Sequence, residues 1–166
     1  MLDDHDCIAA VHQPVKHLHQ SGDVGKVLAN RRLSSERVPQ GRPARSGWLS
    51  SYYGKRTDPF SGKQSFHAGI DFAGNEGSNV LAVASGVVTW SGKRYGYGKM
   101  VEISHGNGLV TRYAHNSENL VEVGDTVKKG QTIALMGRSG RATGPHVHFE
   151  VLKNDRKVNP LKYVQR

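Results

Sequence analysis

From Trp48 onward the chain breaks into short runs, NVLAVASGVVTW, GKMVEISH, LVTRYAH, QTIALMG and HVHFEVL, separated by glycine-containing turns. The runs are rich in Val, Ile, Thr and aromatic residues, whose branched or flat side chains suit a pleated, half-buried surface. No segment is convincingly amphipathic at the helical period, and no internal repeat is present. The 20 glycines among 166 residues exceed the usual ~7%, which fits many sharp turns and few long helices. This punctuation points to a β-rich domain.

Hairpins can be placed within it. GKMVEISH and LVTRYAH flank Gly106-Asn107-Gly108, a tight-turn signal. In the second strand of that hairpin Leu109, Thr111, Tyr113 and His115 are expected to share one face. VEVGDTVKKGQTIALMG holds two short strands around Gly124-Asp125 and Lys129-Gly130, and HFEVLKNDRKVNP is expected to turn back at Asn154-Asp155. Residues 1–46 differ in texture. They are polar, lack a sustained period and end in SSERVPQGRPARSG, so they read as an irregular N-terminal segment or linker ahead of a domain over residues 47–166.

Composition narrows the chemistry. Hydrophobic residues make up 36%, and no apolar run approaches the ~20 residues needed to cross a bilayer. MLDDHDCIAAVHQPV starts acidic and does not read as a secretory signal. The single cysteine, Cys7, rules out an internal disulfide framework or a cysteine-rich zinc site, and it lies in the irregular tail, where a nucleophilic role is not expected. No G-x-S-x-G elbow is present for a serine hydrolase. The net charge of +9 points to an acidic partner, whether nucleic acid, membrane surface or anionic polymer. Aromatics interleave with cations in KRYGYGK, residues 93–99, but no nucleic-acid-binding signature accompanies them, and a solvated loop is expected there.

The histidines are more informative. In an extended GPHVHFEVL, residues 144–152, His146 and His148 project from one face with Cα atoms roughly 6 to 7 Å apart. They can share a metal ion, or one can bind the metal while the other works on substrate. FHAGIDFAG places His67 four residues before Asp71. A straight strand would separate that pair by about 13 Å, so the chain must bend between them, and Gly69 is the residue best able to allow it. His115 completes a set of imidazole and carboxylate groups in or beside strands. Three such ligands with one position left open describe a catalytic zinc site. The two remaining histidines would then serve as proton shuttle and oxyanion stabiliser. His105 precedes the hairpin turn and is expected to cap it or face solvent. His17-Leu18-His19 lacks strand alternation and a companion carboxylate, and reads as solvated tail.

In order and spacing, HAGIDFAG, YAH and GPHVHFEV resemble the signature of the lysostaphin/LytM-type zinc metallopeptidases of bacterial cell walls. The resemblance covers about residues 47–162, and VEVGDTVKKGQTIALMG looks like that family's duplicated-hybrid-motif core, which implies a mainly β, antiparallel, sandwich-like domain. It implies one zinc ion held by His67, Asp71 and His148, with His115 and His146 as the catalytic pair. It also implies a peptidoglycan stem-peptide substrate, no nucleic acid, a periplasmic or cell-envelope location and a possible regulatory protein partner. The stretch SGWLSSYYGKRTDPFSGKQSFHAGIDFAG looks closer to Gram-negative endopeptidases that cut between D-alanine and meso-diaminopimelate than to glycyl-glycine cutters. Two rivals share parts of this pattern. A lipoyl- or biotinyl-type carrier would need a modifiable lysine at a hairpin tip, but Lys128 and Lys129 lack the expected flanks. The other is a catalytically silent scaffold of the same fold that binds wall or activates another hydrolase.

Overall fold

The structure, a computed structural model, describes residues 35–164. Cys7, His17 and His19 lie outside the described residues. In chain order the strands are β1 (Trp48–Ser51), β2 (Gly54–Thr57), β3 (Gln64–His67), β4 (Ile70–Ala73), β5 (Asn79–Leu81) and β6 (Gly86–Arg94). They continue with β7 (Gly98–Gly106), β8 (Leu109–Asn119), β9 (Thr126–Val127), β10 (Thr132–Met136), β11 (His146–Lys153) and β12 (Arg156–Val158). One ten-stranded sheet runs β1-β4-β11-β8-β7-β6-β9, with β10 joining β8 to β5 and β12 pairing β11, while β2 and β3 form a separate ribbon. All these pairings are antiparallel. No helix among the described residues is long and apolar enough to cross a membrane.

The turns follow their residues. Asn107 and Gly108 both take positive φ, 51° and 71°, as a two-residue hairpin turn matched to strand twist requires. Asn154 and Asp155 do the same between β11 and β12 with φ of 49° and 61°, using the tolerance of short polar side chains for the left-handed region. Alternation then sorts the side chains. In β11, Val147, Phe149 and Val151 are fully buried in the core, whereas His146, His148 and Glu150 face the other way. Phe149 packs on Tyr113 of β8 with ring centroids 5.3 Å apart, and Ile70, Val80, Val101, Ile103 and Ile133 close around them. Each such side chain contributes roughly 1.5–3 kcal/mol by leaving water.

The segment before β1 also packs on the sheet. Pro43 O accepts the Leu81 N–H at 2.7 Å, Gln40 N–H donates to Val83 O at 3.1 Å, and Ala44 bridges to Val80. These contacts lie along the side of β5 away from β10.

His105 is not at the surface. Alternation along β7 carries it inward with Val101 and Ile103, leaving it 2% exposed. Its Nδ1–H donates to Ser85 O at 2.8 Å, which leaves Nε2 to accept from the Thr111 hydroxyl at 2.8 Å. Tyr113 lies next in line, its oxygen 3.1 Å from Thr111 Oγ1 and accepting the Val83 N–H at 3.0 Å. Burial keeps the imidazole below its ordinary value of 6.5, against the opposing pull of the Ser85 carbonyl. Below that ordinary value the unfolded chain takes up a proton that the folded one refuses, so acid favours unfolding until the folded value is also passed. Stability to urea should therefore fall as the pH is lowered through the ordinary imidazole value of 6.5. In His105→Gln the slope should be shallower, because other groups contribute equally to both proteins. Identical slopes in chelator would show that His105 is not the titrating group.

Candidate metal centre

Antiparallel pairing of β4 with β11 sets His148 directly opposite Asp71. β3 ends at His67 and β4 begins at Ile70, so the chain bends between His67 and Asp71 as expected. Gly69 serves this bend by lacking a side chain and not by taking a left-handed backbone. A Cβ there would sit 2.5 Å from Phe149 O and 2.7 Å from His148 Cε1. The three polar ends then meet. His67 Nε2 lies 3.1 Å from Asp71 Oδ1 and 3.0 Å from His148 Nδ1, and His148 Nδ1 lies 2.8 Å from the same oxygen. All three residues are buried, at 6–7% exposed.

The outer hydrogen bonds decide what these atoms can do. His67 Nδ1 lies 2.7 Å from Tyr52 O, which can only accept, so Nδ1 carries the proton and Nε2 presents a lone pair. His148 stands between two carboxylates, with Nε2 3.2 Å from Glu150 and Nδ1 2.8 Å from Asp71; when its proton sits on Nε2, Nδ1 is the lone-pair nitrogen of the neutral ring. Two nitrogen lone pairs and a carboxylate oxygen thus converge. In that state three acceptors face one another, and a cation among them, a proton or a metal ion, relieves their repulsion. Nitrogen and oxygen donors of this kind suit Zn2+, whose bonds of about 2.0–2.1 Å would hold ligand atoms roughly 3.3 Å apart, close to the spacing present. The pocket also favours positive charge when only protons are available. Burial would raise the Asp71 carboxyl, but contacts with His148 and His67 outweigh it and hold the group well below its ordinary value. For His148, burial opposes charge, yet Asp71 and Glu150 on its two nitrogens reverse that and favour positive charge at the ring.

His115 and His146 stand beside this trio, their ring centroids 4.7 Å apart. Strict alternation would have put His115 on the core face with Tyr113. Instead β8 bulges, since Val101 pairs with Tyr113 but Lys99 pairs with Asn116, and His115 takes φ 66°. The extra residue re-aims the ring toward His148, with centroids 5.9 Å apart. Each ring is tied at Nδ1, His115 to Ser139 O at 2.7 Å and His146 to Gly144 O at 2.8 Å. Both therefore leave Nε2 free to accept a proton. Burial, with the neighbouring histidines, pushes His115 down to about 4 despite the Ser139 carbonyl, so it is neutral at pH 7.

An open groove passes over these residues, walled by Arg56, Phe60, Phe66, Tyr97, Arg141 and Lys157. Arg141 binds both Asp58 oxygens at 2.8 and 3.0 Å and lies over the Phe60 ring. Arg56 reaches within 3.6 Å of Asp71 Oδ2. The solvated loop expected at KRYGYGK is only half that: Tyr95 is fully exposed, but Tyr97 lines the groove and its hydroxyl donates to Glu150 at 3.0 Å. Glu150 was not singled out by the sequence reading. Its place two residues after His148, on the same strand face, was the signal that could have found it.

Residues 65–160 match Peptidase family M23. The chain belongs to this family. It is 36% identical over 156 residues to the peptidoglycan DD-endopeptidase ShyA of Vibrio cholerae, covering 93% of this chain and 34% of that protein. It is 37% identical over 120 residues to the murein hydrolase activator NlpD of Escherichia coli, covering 72% and 31%. A crystal structure of a zinc-containing peptidase from Vibrio cholerae superposes with a TM-score of 0.63 at 40% identity, covering 74% of this chain and 38% of that one. This M23 chain thus spans about a third of the length of these curated relatives. Within it, the close approach at Gly69 gives a direct test. Gly69→Ala should lower stability to urea by about 1–3 kcal/mol, and an unchanged midpoint would mean that the His148 ring has room to yield.

Proposed function

We propose that this chain is a zinc-dependent endopeptidase that hydrolyses peptide cross-links of peptidoglycan, between D-alanine and meso-diaminopimelate, in the periplasm or cell envelope. His67, Asp71 and His148 hold one zinc ion, and His115 and His146 are catalytic. The observation that carries the reading is the convergence of His67 Nε2, Asp71 Oδ1 and His148 Nδ1 within 3.1 Å of one another, beside two imidazoles tied at Nδ1. Zinc, when bound, supplies a Lewis acid that acidifies water and polarises an amide carbonyl. The chain's own groups do the rest. Either free Nε2 can take the proton of the attacking water, and the imidazolium so formed is then a donor to the departing amine. The partner ring remains to accept or return a proton, and once charged it can stabilise developing negative charge on the carbonyl oxygen. The groove accommodates an extended peptide, with aromatic and cationic walls for its apolar and carboxylate groups. Residues 47–166 form the working domain in this reading.

A second reading is favoured by the likeness to an activator: the chain binds wall, or activates another hydrolase, without turnover. Isolated sacculi separate the two. Chelator-sensitive release of cleaved peptide dimers supports the enzyme, and binding of the zinc-loaded protein without release supports the activator. His67→Ala and His148→Ala should lose zinc. His115→Ala and His146→Ala should keep zinc but turn over at least a hundredfold more slowly, a loss of about 2.7–4 kcal/mol in transition-state stabilisation. Full activity in His146→Ala would contradict its role. The charge of +9 should also speed approach to an anionic wall, so initial rates on sacculi should fall as salt rises. Salt-independent rates would remove steering alone.

A further inference from the structure

Among the four imidazoles of the site, His148 stands apart. His67, His115 and His146 are each tied at Nδ1 to a backbone carbonyl and offer Nε2. His148 is reversed, offering Nδ1 to Asp71 and His67 while Nε2 meets a side-chain carboxylate. The backbone gives a reason. β11 is an interior strand, and His148 pairs with Asp71 on one side and Ala114 on the other. The neighbouring peptide groups are engaged in those ladders, and the ring's Nε2 meets a side chain instead. Glu150 lies one alternation further along the same face and fills that need. It is itself firmly placed, 1% exposed, with Tyr97 Oη and Lys157 Nζ each donating to Oε1 at 3.0 Å and Arg112 donating to Oε2 at 3.4 Å.

We infer that Glu150 is the positioning residue that sets the orientation and tautomer of His148, fixing the proton on Nε2 so that the Nδ1 lone pair faces Asp71 and His67. The inference rests on the reading that these three residues hold zinc. Without the carboxylate, the ring can carry its proton on either nitrogen and turn about its bond to Cβ, and both changes remove a ligand. Loss of such an outer partner costs about 10–100-fold in metal affinity.

The test is zinc affinity of the full chain, measured by competition with a metallochromic chelator. Glu150→Gln, nearly isosteric, should bind zinc about 10–100-fold more weakly. His105→Gln, a buried substitution outside the site, should stay within about threefold of the parent on the same scale. Unchanged affinity in Glu150→Gln, or equal losses in both variants, overturns the inference. If the parent and His148→Ala bind zinc equally well, the metal reading itself fails, which is a separate outcome. Should Glu150→Gln not fold, two-bond nitrogen–proton spectra of the zinc-loaded parent decide. A His148 Nε2–H protected from solvent exchange supports the role of Glu150, and a rapidly exchanging one overturns it.

Discussion

The register between β4 and β11 is the constraint from which the site is built. Antiparallel partners stand about 4.5–5.5 Å apart at Cα, so placing His148 opposite Asp71 brings imidazole and carboxylate together without help from any loop. A slip of one residue would turn every side chain of β11 over, sending Phe149 to the groove and His148 into the core. The buried row Val147, Phe149, Val151 forbids that slip. Apolar packing on one face of a strand thus holds the polar constellation on the other.

Two departures from regular structure complete what register begins. The bulge in β8 moves His115 from the core face to the groove, at the expense of a left-handed backbone that costs a histidine about 1–3 kcal/mol. The outer carbonyls and Glu150 then determine which nitrogen of each ring is free. With its proton on Nε2, His148 turns a lone pair toward that of His67, an arrangement that favours a cation between them. Membership of Peptidase family M23 agrees with chemistry that the hydrogen bonds already imply.

Much of this was legible in the residues. Glycine-bounded runs rich in branched side chains indicated a β-rich domain, and the turns at Asn107-Gly108 and Asn154-Asp155 lie where their chemistry placed them. The meeting of His67, Asp71 and His148 was anticipated through the family resemblance, since spacing alone could not choose between His146 and His148. What alternation could not reveal was where it breaks. His115 was assigned to the face of Tyr113 because a bulge leaves no mark in a single sequence. His105 beside a turn reads as a hairpin cap or a solvent-facing side chain, whereas here it does neither, because a chain of hydroxyls and a carbonyl satisfies it inside. Gly69 was understood as a hinge, although its importance lies in the space it leaves for a ring.

The strap formed by Gln40, Pro43 and Ala44 bears on how the protein can be handled. By occupying the open side of β5, it caps a row of backbone groups that would otherwise invite another chain to add itself as a strand. Shortened versions that begin at β1 would uncover that row, and self-association in such material would reflect the missing cap more than any native tendency to assemble.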